Sequence, residues 1–158
     1  MLHVVLYQPE IPHNTGAIGR LCLATGARLH LIKPLGFSLD DRQVRRVGLD
    51  YWPEVDLRVW DRWEDLAAAA QGTFFFVECQ GRKNYWEADY TDEEVYLVLG
   101  PETRGIPPSI MDAHPDHTLR IPMHGTRSLN LATAAGITMY EALRQRAATG
   151  RTDFGIPA

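Results

Sequence analysis

The chain has 158 residues, 45% hydrophobic and 23% charged, with a formal net charge of −4. That length suits one core of ordinary size, so a single domain over 1–158 is expected, and the composition excludes a disordered, collagen-like or disulfide-scaffolded protein. No apolar run approaches the ~20 residues of a membrane span and no basic leader precedes the first apolar segment, so the expected setting is cytoplasmic.

Charge is unevenly spread. Residues 1–60 carry 7 basic and 6 acidic side chains, residues 61–118 carry 4 and 12, and residues 119–158 carry 5 and 2. Lys33 and Lys83 are the only lysines; every other cation is Arg, the side chain suited to bidentate phosphate contact and to stacking on bases. The net charge argues weakly against a nucleic-acid partner, whereas the arginine-bearing first and last segments leave room for a local basic face.

Strand-like and helix-like segments alternate, the order of a mostly parallel α/β sheet flanked by helices. Residues 2–7 read as a buried strand. Pro9-Glu10-Ile11-Pro12 reads as a turn, after which Asn14 is the expected cap of a helix stopping at Gly26. A second strand is predicted over 28–32, broken by Pro34-Leu35-Gly36. Ser38, three before Asp41, opens a short helix with Arg42, Arg45 and Arg46. Residues 55–60 form a candidate third strand, and Asp61 is the expected cap of a helix ending in Ala67-Ala68-Ala69-Ala70.

The β-formers over 73–79 and 95–99 predict two further strands, separated by a polar, acidic excursion over 80–94. Pro107-Pro108 starts a short helix and 119–121 is a brief strand. The longest helix is predicted over 128–147, with Leu129, Ala132, Gly136, Met139, Tyr140 and Leu143 along one packing stripe. Residues 149–158 read as a frayed tail. Cys22 and Cys79 lack ligand spacing and read as buried free thiols. Pro115 breaks the helix that would align His114 with His117, so no metal site is expected.

Signatures of dinucleotide dehydrogenases, P-loop NTPases, α/β-hydrolases and zincins are absent. Three segments at strand ends are dense in polar residues and glycine. In Asn14-Thr15-Gly16-Ala17-Ile18-Gly19-Arg20 a helix terminus favours anions, although chemistry alone favours an ordinary capped helix with a solvated Arg20. Gly100-Pro101-Glu102-Thr103-Arg104-Gly105 follows a buried strand, where ligands of open α/β sheets bind; the alternative is a tight turn with a Glu102–Arg104 surface pair. The third runs from Ile121-Pro122-Met123 through Arg127-Ser128-Leu129-Asn130-Leu131, where Ser128 or Thr126 as a helix cap is compatible with a site.

These three segments, with Leu6-Tyr7-Gln8-Pro9-Glu10-Ile11-Pro12 and Arg45-Arg46-Val47-Gly48-Leu49-Asp50-Tyr51, resemble in order and spacing the SPOUT superfamily of S-adenosylmethionine-dependent RNA methyltransferases. Within it, the chain is most similar to the tRNA (cytidine/uridine-34)-2′-O-methyltransferase family, over residues 1–147. The chain departs from that pattern at Ala132-Thr133, where relatives commonly carry Ser and Asn, and in a short loop over 123–127.

The resemblance implies a SPOUT-type fold with a C-terminal trefoil knot, although physics alone disfavours threaded chains. It implies a homodimer with sites near the subunit boundary, S-adenosylmethionine as cofactor, the tRNA anticodon loop as partner, and no metal. By position it assigns Val77, Glu78, Gly100, Ile121, Met123, Ser128 and Leu129 to cofactor contact, mostly through backbone. It assigns Arg20 and Asn130 to catalysis, and Asn14, Arg45, Arg46, Glu102 and Tyr140 to substrate. A guanidinium keeps its proton to a pKa above ~12, so Arg20 is read as binding the phosphate beside the target ribose rather than as the base. Competing readings are 2′-O-methylation elsewhere in tRNA or rRNA, and a non-catalytic cofactor- or RNA-binding module.

Overall fold

The computed structural model describes residues 1–40, 42, 44, 46 and 49–151. Their seven strands form one sheet in the order β3-β2-β1-β6-β4-β7-β5, with every pairing parallel. The strands are β1 (Leu2–Tyr7), β2 (Arg28–Ile32), β3 (Leu57–Trp60), β4 (Thr73–Val77), β5 (Lys83–Asn84), β6 (Val95–Leu99) and β7 (Thr118–Arg120). The helices are α1 (Pro12–Thr25), α2 (Trp63–Ala69), α3 (Pro108–Met111) and α4 (Leu131–Ala148).

The central strands are apolar on both faces because helices cover both. Register aligns Leu29, Val4, Leu97 and Phe75 across four strands, and this row belongs to the core beneath α1 and α4. The next residues along three of those strands, Val5, Val98 and Phe76, face the second core with Leu66 of α2. Small residues on α1, among them Gly16, Gly19 and Cys22, are buried, and α4 presents Leu131, Ala135, Thr138, Met139, Ala142 and Leu143 inward.

Several local expectations are corrected. Asn14 does not cap α1: Ile11 is the N-cap residue, Pro12 follows it, and Asn14 is buried within the first turn. Arg62, not Asp61, precedes α2, without a side-chain cap. Asn130 rather than Ser128 or Thr126 caps α4, which begins at Leu131; its oxygen accepts the Ala132 and Thr133 N–H groups. The predicted stripe is rotated, for Met139 and Leu143 are buried while Tyr140 is 54% exposed. Cys22 is buried and its thiol pKa is pushed up by desolvation, but Cys79 is exposed because β4 ends at Val77. Arg45 and residues 152–158 lie outside the described residues.

The acidic excursion contains β5 and a 3-10 turn, Tyr85–Glu87, and is pinned by α4. Buried Arg146 donates to the carbonyls of Tyr90, Asp92 and Glu93, and the Gln145 side chain bonds both Tyr90 N–H and the Ala88 carbonyl. Strand β7 pairs with β4 on one side and β5 on the other, so the chain re-enters between two strands already joined by residues 78–82. A Cβ on Gly81 would stand 2.1 Å from the Leu119 carbonyl carbon, so this connection lies directly on β7 only because residue 81 has no side chain.

Near the amino ends of β1 and β6 lies a buried polar file. Trp60 Nε1–H donates to His30 Nδ1 at 2.9 Å, and His30 and His3 share a 2.9 Å bond between Nε2 and Nδ1. His3 Nε2 in turn bonds the Glu94 carboxylate. An indole nitrogen only donates, which makes His30 Nδ1 an acceptor and directs each proton along the file toward Glu94. Tyr96 stacks on His3 at 4.1 Å between centroids. Desolvation, followed by the neighbouring His3, pushes the His30 pKa down to about 3, and desolvation also lowers that of His3. The His3–Glu94 contact is therefore a neutral N–H on a carboxylate rather than an ion pair.

Candidate active site

At the carboxyl edge of the sheet, loops following β1, β4, β6 and β7 enclose a cavity of about 530 Å³. This is the edge at which open α/β sheets bind ligands, and the volume falls in the range of small-molecule sites. All seven residues assigned to cofactor contact, Val77, Glu78, Gly100, Ile121, Met123, Ser128 and Leu129, line it, as do Asn14, Glu102 and Asn130. Sequence reasoning gave no site role to Cys79, Leu99 or Ala134 on its wall, and had Thr103, Arg104, Gly105 and Leu131 only as members of the polar segments. Leu99 reads as core and is indeed buried; its place at a strand end was the usable signal.

Two loops grip each other through exchanged carboxylates. Glu102 Oε2 accepts the Glu10 N–H at 2.9 Å, while Oε1 accepts the Ile11 N–H and the Asn14 Nδ2, each at 3.2 Å. In return the Glu10 carboxylate accepts the Thr103 hydroxyl at 2.7 Å and the Thr103 N–H at 3.3 Å. Arg104 donates to Gln8 Oε1 at 3.2 Å, so in place of the alternative Glu102–Arg104 pair both side chains contact the opposite loop. The positive end of α1, expected to attract a ligand anion, is met by the chain's own Glu102.

The third segment joins through amides. Asn130 Nδ2 donates to Asn14 Oδ1 at 2.9 Å, while Asn130 Oδ1 accepts Ala132 N–H at 2.9 Å and Thr133 N–H at 3.2 Å. Glu102, Asn14, Asn130 and the start of α4 thus form one continuous hydrogen-bonded chain across the cavity wall. Asn14 is buried, and its amide is engaged on both sides.

Glu78 ends β4 and braces the far side. Its N–H bonds the Leu119 carbonyl at 2.8 Å, and its carboxylate accepts the Ile106 N–H. Burial raises its pKa against the opposing effect of backbone N–H groups at Ile106 and Cys79. Gly100 is folded so tightly against Gly105 and Ile106 that the intervening residues form an arch. Such a wall offers backbone polar groups at its loops, apolar side chains at Val77, Leu99, Ile121, Leu131 and Ala134, and carboxylates at Glu78 and Glu102.

Other assigned residues stand apart from this wall. Arg20 is exposed on α1 with its guanidinium carbon 5.8 Å from the Tyr51 ring centroid, and Arg46 is exposed. Tyr140 is exposed on α4 and does not line the cavity.

The SpoU rRNA Methylase family matches residues 1–140. A tRNA (cytidine(34)-2'-O)-methyltransferase of Methylovorus glucosotrophus (strain SIP3-4) is 48% identical over 148 residues, 92% of this chain and 96% of that protein. A solved structure described as giving insights into the 2-OH methylation of C/U34 on tRNA has a TM-score of 0.87 at 48% identity, over 96% of this chain and 98% of that one. An AdoMet-bound rRNA methyltransferase from Sinorhizobium meliloti has a TM-score of 0.81 at 28% identity, over 90% of this chain and 56% of that one. A match through residue 140 of 158, joined to relatives near half identity along almost the whole length, places the chain in one family: it belongs to the SpoU rRNA methylases.

Proposed function

We propose that this protein is an S-adenosylmethionine-dependent methyltransferase acting on the ribose 2′-hydroxyl of nucleotide 34, cytidine or uridine, in the tRNA anticodon loop. The observation that carries the reading is one cavity to which all three polar segments contribute wall, joined through Glu102, Asn14 and Asn130. Relatives named for that reaction support its substrate.

The wall fits S-adenosylmethionine. Val77, Leu99, Ile121, Leu131 and Ala134 suit an adenine ring, the backbone of 100–105 and 121–130 suits its polar edge, and Glu78 suits a cation. When bound, the cofactor supplies a methyl group already activated on a sulfonium. The remaining task is alignment of a weak nucleophile and removal of its proton. In this reading Glu102, Asn14 and Asn130 hold the walls in register, and Asn130 acts through the start of α4 rather than by proton transfer. Arg20 binds the phosphate beside the target ribose.

Arg20 stands off its own cavity wall, which a homodimer with sites at the subunit boundary accommodates; exposed Tyr140 belongs to that boundary or to the RNA face. Arg45 and Arg46 contribute to RNA binding, and a forced monomer is expected to bind tRNA weakly. The chain acts as a single domain in the cytoplasm. Its C-terminal third is tied as a trefoil knot, a reading supported by β7 lying between β4 and β5.

The test is incubation with methyl-labelled S-adenosylmethionine and, in parallel, total tRNA or rRNA, followed by mass spectrometry of nucleosides from the anticodon loop and from the rRNA. Label in 2′-O-methylcytidine or 2′-O-methyluridine is expected. The matched family is described by rRNA, so label appearing only in rRNA moves the assignment to a ribosomal position.

A further inference from the structure

Glu78 has a charge that its surroundings do not balance. Its carboxylate lines the cavity, is half-buried, and accepts the Ile106 N–H, yet among the described residues it forms no ion pair. The other wall carboxylate, Glu102, is committed to three donors from residues 10–14. The nearby cation Arg104 is drawn away to Gln8. Gly105 lies directly against Glu78: its φ is +72°, and a Cβ there would come within 2.9 Å of Oε1. The chain thus packs bare backbone against this carboxylate where a cationic side chain would neutralise it. Burying a lone anion is costly, and its elevated pKa expresses that cost. A cationic ligand in the cavity removes the cost.

We propose that the Glu78 carboxylate is a charge-reading element of the cofactor cavity, which favours the sulfonium of S-adenosylmethionine over the neutral thioether of S-adenosylhomocysteine. The inference rests on the cavity being the cofactor site. Methyl transfer forms the ribose O–CH₃ bond, breaks the S–CH₃ bond, releases the hydroxyl proton and leaves sulfur uncharged. The attraction to Glu78 therefore ends with the reaction, and product leaves more readily than substrate. Because the attraction acts on the ground state, its removal raises KM for the cofactor without lowering kcat.

Calorimetric titration of S-adenosylmethionine and S-adenosylhomocysteine into the native protein, Glu78→Gln and Glu78→Asp tests this. Glutamine keeps an acceptor for the Ile106 N–H while removing the charge. The expected result is a loss on the order of tenfold in S-adenosylmethionine affinity for Glu78→Gln, with S-adenosylhomocysteine affinity unchanged and the preference largely kept in Glu78→Asp. Unchanged thioether binding also reports that the variant is folded. Equal weakening of both ligands, or no change in either, overturns the proposal and leaves Glu78 as a brace for residue 106. Failure of the native protein to bind either ligand overturns the cofactor assignment itself.

Discussion

At the carboxyl edge of the sheet, the carboxylates of Glu10 and Glu102 accept N–H groups from facing loops, whereas near the amino ends of β1 and β6 two imidazoles and an indole share protons in a buried file. Both regions join segments distant in sequence. The carboxyl-edge clasp uses ionised groups that water still reaches, so its bonds are charge-assisted without full desolvation. The file at the other end is sealed by Tyr96 and remains neutral, which makes it a pH-dependent part of the fold rather than of the cavity. The clasp shapes the cavity, and the histidine file ties β1, β2, β3 and β6 together.

The largest expected effect comes from breaking the clasp. Glu102→Ala leaves the Glu10 and Ile11 N–H groups and the Asn14 amide without their acceptor, and we expect a loss of about 2–3 kcal/mol with at least tenfold weaker cofactor binding. Urea titration and calorimetry measure the two, and an unchanged binding constant would separate the clasp from the cavity.

Acidification probes the opposite region. The folded-state pKa of His30 lies below its ordinary value of 6.5, so the unfolded chain takes up the proton first as pH falls. Its contribution is complete above about pH 6.5 and declines below it, by about 1.4 kcal/mol per pH unit for one proton toward the folded pKa. Urea midpoints at pH 7.5 and 5.5 should show this fall, while Glu102→Ala should shift both midpoints by a similar amount. A steeper pH dependence in Glu102→Ala would mean the two regions are coupled.

A smaller effect is expected of Asn130→Ala, which removes the cap of α4 and the link to Asn14 at a cost of about 1 kcal/mol. Cofactor affinity should fall with it, and restoration of stability but not affinity by Asn130→Asp would isolate the amide donated to Asn14. The smallest change is Trp60→Phe, which deletes the donor at the head of the file for about 0.5–1.5 kcal/mol. It should leave cofactor binding unaltered, and calorimetry showing otherwise would join the two ends of the sheet.

Strands β1, β2 and β6 were legible residue by residue because continuous apolar runs bounded by turn residues have few other fates. The three polar segments were legible for a related reason, since each follows a strand and carries glycine beside donors and acceptors. Caps were less so. Asn14, Asp61 and Ser128 had suitable side chains at suitable positions, but α1 begins after Ile11 without a side-chain cap, and the Asn14 amide bonds a carboxylate 88 residues further along the chain. Cys79 looked buried as part of an apolar run and became exposed when β4 stopped two residues earlier.

The order of elements, the two-faced burial of the central strands and the location of the polar segments were determined by the sequence itself, because alternation, apolar length and turn chemistry are local properties. Which segments meet was decided by the tertiary structure. Glu102 reaching α1, Asn130 reaching Asn14, His3 meeting His30 and β7 entering between β4 and β5 all depend on the order of strands in the sheet. A parallel sheet brings the carboxyl ends of its strands to one edge whatever their separation along the chain, and that geometry assembles the cavity.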